Sequence, residues 1–223
     1  MLINLVFFMQ ISWLGHAAFR LQGKTTSDVI SIVTDPYKSE KVGLKMPHVE
    51  ADIVTISHDH DDHNGLEAIK GEPFVIRGAG EYEVKGVYIE GIESYHDDEK
   101  GAKRGNNIIY RFELEDISIA HLGDLGHELT DKQLERLEGT DIVLIPVGGV
   151  YTIDAQKAVS VINQIEPRIV IPMHYSLPGL KFDLGTVDQF LKAIAVKPRK
   201  EEKLKITKKD LPQEDMEVVI LEF

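Results

Sequence analysis

A chain of 223 residues, 43% hydrophobic and 28% charged, is long enough to form one domain with a sizeable core. Its 25 basic and 37 acidic residues give a formal net charge of −12, which argues against general affinity for nucleic acid or anionic membranes. The chain has no cysteine, which excludes disulfides, thiolate metal sites and cysteine nucleophiles. We therefore expect a single cytoplasmic domain spanning residues 1–223.

The first apolar segment, Leu2–Phe8, is too short to span a membrane and lacks the features of a signal peptide. Two interpretations remain open. The segment is either an additional edge strand or an N-terminal extension (residues 1–8) that precedes a natural start at Met9.

The first half of the chain has the pattern of short strands separated by Gly and Asp. Strands are predicted at Gln10–Leu14, Ala18–Gln22, Val29–Thr34, Asp52–Ser57, Phe74–Arg77, Tyr82–Lys85, Val87–Tyr95, Ile108–Leu114 and Ile117–Leu122. The second half alternates between helices and strands. Helices are predicted at Thr130–Leu137, Asp154–Ile165 and Thr186–Val196, and strands at Asp141–Val147, Arg168–Met173 and Val218–Phe223. This order predicts an α/β protein with a sheet-on-sheet core flanked by helices.

Two of the predicted helices begin with a recognisable cap. Thr130 is followed three residues later by Gln133, which is the spacing of a capping box. Thr186 is the expected N-cap of the last helix.

The strongest chemical signal is the histidine motif, residues 57–63, with the sequence Ser-His-Asp-His-Asp-Asp-His. It follows the apolar segment 53–56, so the motif lies on the turn at the end of a buried strand. Neutral imidazoles and ionised carboxylates are the ligands that zinc and similar divalent ions prefer. The motif therefore predicts a metal site rather than a solvated acidic loop.

The pattern His-x-His-x-Asp-His resembles that of the metallo-β-lactamase fold superfamily, and later landmarks of that superfamily follow in order from about Gln10 to Tyr175. The resemblance implies a four-layer αββα sandwich of two mixed β-sheets flanked by helices. It also implies two divalent metal ions, with zinc as the first choice and manganese or iron as alternatives. The residues that match the metal ligands are His58, His60, Asp62, His63, His96, Asp124 and His174.

In this resemblance, His58, His60 and His96 hold one ion, while Asp62, His63 and His174 hold the other. Asp124 lies between the two ions, and Asp35 supports the ligands from behind. Asp62 has the additional role of a catalytic residue that orients the attacking water and helps to move its proton.

The third histidine of the first site has a competitor in the sequence. His121 lies three residues before Asp124, but strand alternation places it on the core-facing side, where a buried, hydrogen-bonded histidine is common. We therefore assign the ligand role to His96. We expect His127 at the surface or rim and His48 in a loop.

Three further residues are candidates for the substrate pocket. His16, in Gly15-His16-Ala17, resembles an element of a hydrolase branch that includes ascorbate-6-phosphate lactonase-like proteins, although a buried core histidine is an equal alternative. Tyr151 comes two residues after the pair Gly148-Gly149, and this pair favours a tight turn over a phosphate-binding loop. Tyr175 directly follows the predicted ligand His174.

Departures from the superfamily pattern narrow the expected function. His60 stands where flavin-linked di-iron members of the superfamily usually have glutamate, which disfavours reduction of oxygen or nitric oxide. The short interval between Asp124 and His174 leaves no room for the inserted domain of the RNA-processing nucleases, which disfavours that class of enzyme. The basic segment, residues 197–209, lacks interleaved aromatic residues and favours a solvated face over a nucleic-acid site.

These features predict a metal-dependent hydrolase acting on a small anionic ester, lactone or phosphoester. A metal-dependent nuclease or phosphodiesterase and a non-catalytic metal-binding protein remain the alternatives.

Overall fold

The computed structural model describes residues 8–26 and 28–223. Its strands are β1 Met9–Trp13, β2 Phe19–Lys24, β3 Val29–Thr34, β4 Val49–Glu50, β5 Ile53–Thr55, β6 Ile69–Lys70, β7 Phe74–Ile76, β8 Gly80–Val84, β9 Val87–Tyr95, β10 Asn106–Leu114, β11 Ile117–His121, β12 Ile142–Pro146, β13 Ile169–Met173, β14 Arg199–Glu201, β15 Leu204–Ile206 and β16 Glu217–Leu221. The α-helices are α1 Ser39–Val42, α2 Asp131–Leu137, α3 Ala155–Ile165 and α4 Val187–Ile194, and 3₁₀ turns occupy Leu66–Ala68 and Lys208–Asp210.

The strands form two large mixed sheets and one two-stranded ribbon. The six-stranded sheet has the order β15-β1-β2-β3-β5-β7, and the eight-stranded sheet has the order β14-β16-β13-β12-β11-β10-β9-β8. In each sheet an antiparallel part, β1–β2–β3 or β8–β9–β10–β11, continues into parallel strands. The predicted architecture of two mixed sheets is therefore confirmed.

The side chains between the two sheets form the main core. In β1 the alternate residues Met9, Ile11 and Trp13 are buried, whereas Gln10 and Ser12 remain partly exposed. These residues belong to one continuous apolar cluster with inward-facing residues of the other sheet. Each such fully buried side chain stabilises the fold by about 1.5–3 kcal/mol, so strand alternation fixes which sheet faces meet.

Helices cover the outer faces unequally. On the eight-stranded sheet, α3 buries the stripe Ala158, Val161, Ile162 and Ile165, as its periodicity predicts. The outer face of the six-stranded sheet packs instead against a smaller cluster around Tyr37, supplied by single-turn α1, a 3₁₀ turn and loops. The helical layer on that side is consequently thin.

Both residues predicted as helix caps, Thr130 and Thr186, occupy the N-cap positions of their helices. Thr130 and Gln133 form the predicted capping box, and the Asp154 carboxylate accepts hydrogen bonds from Gln156 N and Lys157 N. Thr186 occupies the predicted N-cap position of α4, where its side chain accepts no hydrogen bond from the helix.

The C-terminal basic segment contains two strands that the sequence analysis missed. β14 joins the eight-stranded sheet, whereas β15 pairs with β1 at the edge of the six-stranded sheet. Leu204 and Ile206 are buried, while all seven basic side chains of the segment are exposed. The three-residue strands are too short for alternation to be recognised among so many charges.

The N-terminal segment Leu2–Phe8 lies outside the described residues except for Phe8, and β1 begins at Met9. Among the described residues, no helix has the length and apolar character required to cross a membrane.

Candidate metal centre

The predicted ligands lie at the ends of strands from both sheets. The histidine motif follows β5, and Asp35 follows the neighbouring strand β3, both in the six-stranded sheet. His96, Asp124 and His174 follow β9, β11 and β13 of the eight-stranded sheet. Residues distant in sequence therefore converge because strand ends of two facing sheets meet at one edge of the sandwich.

Asp124 lies at the centre of the converging side chains. Its Oδ2 atom is 3.2 Å from Nε2 of each of three histidines, His63, His96 and His174. His58 Nε2 lies 3.9 Å from the same oxygen. One carboxylate surrounded by four imidazoles is suited to take part in holding a divalent cation.

The possible ligand atoms form three overlapping groups, and within each group the atoms lie within 4.8 Å of one another. The groups are His58, His60 and His96; His58, His63 and Asp124; and His16, Asp62, His63 and His174. The structure thus brings together all seven residues predicted as ligands. It also adds His16 to the group that contains Asp62.

Asp35 orients two histidines through hydrogen bonds. His63 Nδ1 donates to Asp35 Oδ2 at 2.9 Å, which leaves His63 Nε2 directed towards the centre. Ser57 Oγ donates to the same carboxylate oxygen at 2.6 Å and lies 2.9 Å from His58 Nδ1, so it accepts the proton of that ring. Such outer partners fix the tautomer and orientation of metal-binding histidines.

Three residues at the centre adopt backbone conformations that side chains other than glycine rarely occupy. His16, Asp35 and His174 have φ angles of 52°, 40° and 53°. A left-handed residue of this kind costs about 1–3 kcal/mol unless the surroundings impose it, and such residues cluster at functional sites. Here the conformation turns each side chain from its strand end towards the centre.

Asn107 and Gly123 position Asp124. Asn107 Oδ1 accepts a hydrogen bond from Asp124 N at 2.9 Å, and Asn107 Nδ2 donates to Leu122 O at 3.0 Å. Gly123 has a φ of +55°, and a Cβ there would collide with Asn107 Oδ1. Sequence reasoning missed Ser57 and Asn107; the available signals were a serine beside the motif and an asparagine within an apolar strand.

The electrostatic environment affects the candidate ligands differently. Burial opposes ionisation of Asp124, but His174 and His63 outweigh it and hold the pKa of Asp124 well below its usual range. Burial, followed by the proximity of His63, lowers the pKa of His58 to about 3. These shifts favour an ionised Asp124 and a neutral His58, the forms in which both side chains bind metals. Burial of His63 is outweighed by the carboxylates of Asp124 and Asp62, which raise the pKa of this histidine well above its usual range, so a bound cation would have to displace its proton.

Only one of the three residues predicted to line the substrate pocket does so. Tyr151 lines the cavity at the centre. His16 is fully buried, with its ring 4.1 Å from that of His174 and Nε2 3.2 Å from Asp62 Oδ2, so it lies behind Asp62 rather than at the rim. Tyr175 turns away and packs against Trp13, with ring centroids 5.2 Å apart, so it does not line this cavity.

The remaining histidines lie outside the candidate ligand groups. His121 is buried and uses both nitrogens, with Nε2 donating to Ala17 O at 2.8 Å and Nδ1 accepting from Gly123 N at 3.2 Å. His127 is partly exposed and accepts from Tyr95 N, and His48 is exposed. The geometry therefore favours His96 over His121 as a ligand.

A cavity of about 280 Å³ opens onto the centre. Its walls are formed by His60, Asp62, His96, Arg104, Asp124, Tyr151, His174 and Phe182. A larger open groove of about 1290 Å³ beside α2 and α3 contains no histidine and none of the predicted ligands. The smaller cavity is therefore the candidate substrate site, and its size suits a small molecule.

The residues present fit divalent metal ions. Three buried atoms at the centre have no hydrogen-bond partner, namely His58 Nε2, His63 Nε2 and Asp124 Oδ1. Unpaired buried polar atoms each cost about 1–3 kcal/mol, so a cluster of them at one point requires an additional partner. Imidazole nitrogens and carboxylate oxygens would gain that partner in a divalent cation.

Comparison with known proteins gives consistent results. Residues 10–174 match the model of the β-lactamase superfamily domain. A candidate zinc-dependent hydrolase of the metallo-β-lactamase superfamily from Thermotoga maritima is 39% identical, with a TM-score of 0.78 and coverage of 96% of this chain and 98% of that one. A metal-dependent hydrolase of Methanopyrus kandleri is 28% identical over 78% of this chain and 88% of its own length, and one of Archaeoglobus fulgidus is 26% identical over 85% and 92%.

Proposed function

Because this chain belongs to the metallo-β-lactamase superfamily, we propose that it is a metal-dependent hydrolase that acts on a small anionic ester, lactone or phosphoester with two divalent ions. The observation that carries the proposal is the position of Asp124 Oδ2. This oxygen lies 3.2 Å from Nε2 of His96, which we assign to the first ion, and 3.2 Å from Nε2 of His63 and of His174, which we assign to the second. The more specific lactonase-like branch suggested by Gly15-His16-Ala17 stays a prediction.

We assign His58, His60 and His96 to the first ion. Asp62, His63 and His174 are assigned to the second, with Asp124 shared between them. The three ligand groups and the unpaired buried atoms within them support this division. A mixed set of imidazoles and carboxylates accommodates zinc, manganese or iron. Zinc is our first choice, and the similar Thermotoga maritima protein is described as a candidate zinc-dependent hydrolase.

When bound, such ions lower the pKa of water towards about 7 and polarise the oxygen of the group under attack. Asp62 has the task of orienting that water and receiving its proton. His16 Nε2 is 3.2 Å from Asp62 Oδ2, which leaves Oδ1 as the oxygen that we assign to the water. The side chain of Asp62 is one-fifth exposed, so it is accessible from the cavity while His16 restricts its rotation.

A panel of substrates on the metal-loaded protein tests the proposal. Matched esters, lactones, phosphomonoesters and phosphodiesters should be compared, together with single-stranded RNA and DNA, at a measured metal content. Hydrolysis of small esters, lactones or phosphoesters supports the proposal. Turnover of nucleic acid alone would favour the nuclease alternative, and a fully metallated protein without turnover on any substrate would favour a non-catalytic metal-binding protein.

Substitution of two histidines distinguishes the metal ligand from the structural residue. His96→Ala should reduce the metal content by about one ion per chain, and its melting temperature should fall by no more than complete metal removal lowers that of the wild type. His121→Ala should retain both ions but lose about 1–3 kcal/mol of stability, because Ala17 O and Gly123 N lose their partners. Elemental analysis and thermal unfolding of both variants provide the measurements. Metal loss in His121→Ala with full metal in His96→Ala would reverse the assignment.

Removal of metal should destabilise the protein. Ligands bound at about a thousand times their dissociation constant stabilise a fold by about 4 kcal/mol, equivalent to roughly 10 °C in melting temperature for a chain of this size. Thermal unfolding before and after treatment with a chelator, followed by addition of zinc, manganese or iron(II), measures this contribution and ranks the metals. An unchanged melting temperature after verified metal removal would contradict it.

A further inference from the structure

Arg104 is the only lysine or arginine among the described residues that line the cavity at the metal centre. It was not identified from the sequence, where it occupies a polar loop between β9 and β10. Its side chain is partly buried, and the cavity wall around it otherwise consists of possible metal ligands and the aromatic residues Tyr151 and Phe182. A single cationic side chain in a small cavity of this composition is suited to binding one anionic group of a substrate.

The loop that carries Arg104 is held by the Asp97 carboxylate. Asp97 Oδ2 accepts hydrogen bonds from Arg104 N at 2.7 Å and Lys103 N at 2.9 Å, while Oδ1 accepts from Glu99 N and Gly101 N. Asp97 directly follows His96, a predicted ligand. One carboxylate therefore fixes the position of Arg104 relative to the metal centre.

The guanidinium is also fixed from the opposite side of the cavity. Arg104 Nη2 donates to Val150 O at 3.1 Å, and its guanidinium carbon lies 5.6 Å from the centre of the Tyr151 ring. Val150 has a φ of 61°, which is unusual for a β-branched residue. This strained turn directs its carbonyl towards Arg104 and places Tyr151 beside the guanidinium, so the side chain is positioned in advance of any ligand.

We propose that Arg104 binds the anionic group of the substrate, a carboxylate or phosphate, while the scissile group faces the metal centre. The proposal rests on the proposed function and names the substrate feature that the site selects. The guanidinium has five N–H donors in one plane, and the bond to Val150 O uses only one nitrogen. The remaining donors match the oxygens of a carboxylate or phosphate.

Direct binding of anions that cannot be hydrolysed tests the proposal without requiring turnover. Calorimetry on the metal-loaded protein would use phenylphosphonate and benzoate, with benzamide as the neutral comparison. Arg104→Gln removes the cation, Arg104→Lys keeps the charge but not the planar donors, and Lys103→Gln is the matched control. Lys103 lies in the same loop and is paired with Glu99, but it does not line the cavity. Metal content and melting temperature are measured for each variant.

Arg104→Gln should weaken binding of at least one anion by roughly tenfold to a hundredfold, as expected for loss of a charge-assisted hydrogen bond. Arg104→Lys should give an intermediate loss, Lys103→Gln should stay within about twofold, and metal content should not change. The anion that suffers the larger loss identifies carboxylate or phosphate as the preferred group. Equal affinities for Arg104→Gln and Lys103→Gln, or wild-type protein that binds neither anion more tightly than benzamide, would overturn the proposal. If no substrate of the panel is hydrolysed but anion binding still depends on Arg104, only the proposed hydrolase function is contradicted.

Discussion

Asparagine in place of Asp62 is expected to reduce hydrolysis by at least about a hundredfold, because general-base catalysis alone contributes 10²–10⁴. The amide keeps the shape and one oxygen, but it loses the negative charge that binds a cation and accepts a proton. The bond from His16 Nε2 to position 62 can persist to the remaining oxygen, and the side chain fills no core space. The first metal site should remain, because none of its three ligands changes.

Turnover, metal content and melting temperature should be compared with those of Asp61→Asn. Asp61 is the neighbouring carboxylate in the same motif, but it is paired with Lys38 at 2.6 Å on the surface and contributes nothing to the cavity. Exposed pairs of this kind contribute at most about 1 kcal/mol, so the control should retain nearly full activity. A folded Asp62→Asn protein with the turnover of the wild type would refute the assigned mechanism.

Alanine in place of Asp35 should have the largest effect on stability, a loss of about 3–5 kcal/mol, as for breaking other buried charge pairs. Asp35 is fully buried and accepts bonds from Ser57 N, Ser57 Oγ and His63 Nδ1. Its removal leaves all three donors without a partner. For a chain of this size, the loss corresponds to a decrease of roughly 6–20 °C in melting temperature.

In Asp35→Ala the metal affinity should also decrease, by at least about tenfold, because His63 loses the partner that fixes its orientation. Asp35→Asn keeps the volume and one acceptor and should fall between the wild type and alanine on both measurements. Asp98→Ala removes an exposed carboxylate and should change neither. Unfolding by heat and competition with a metal-sensitive dye are the measurements. Wild-type stability and affinity in Asp35→Ala would show that the carboxylate does not support the centre.

The sequence allowed the architecture to be predicted largely because burial is encoded locally. The β-branched and aromatic residues of β9 and β10, which alternate in part, and the continuous apolar strands β12 and β13 were recognisable without tertiary information. The short strands β14 and β15 were not, because each becomes a strand only through pairing with a neighbour distant in sequence.

The candidate site shows the same division between local and tertiary information. Four predicted ligands lie within the histidine motif, so their proximity follows from the sequence itself. The positions of Ser57 and Asn107 depend on which groups face them across the sandwich, and no local pattern specifies this. Tyr175 was misplaced for a related reason. Its ring lies against Trp13, a contact that depends on how the two sheets pack.

The candidate ligands come from two different sheets, and this determines when the metal site can assemble during synthesis and folding. During synthesis the histidine motif emerges early, but His174 emerges only after most of the chain, and the two meet only when the sheets pack. A partly synthesised or misfolded chain thus offers at most a weak, incomplete set of ligands. Since metal binding and folding are thermodynamically coupled, the ions would be retained by finished molecules and lost from defective ones. Metal occupancy in the cell would therefore report the fraction of correctly assembled copies.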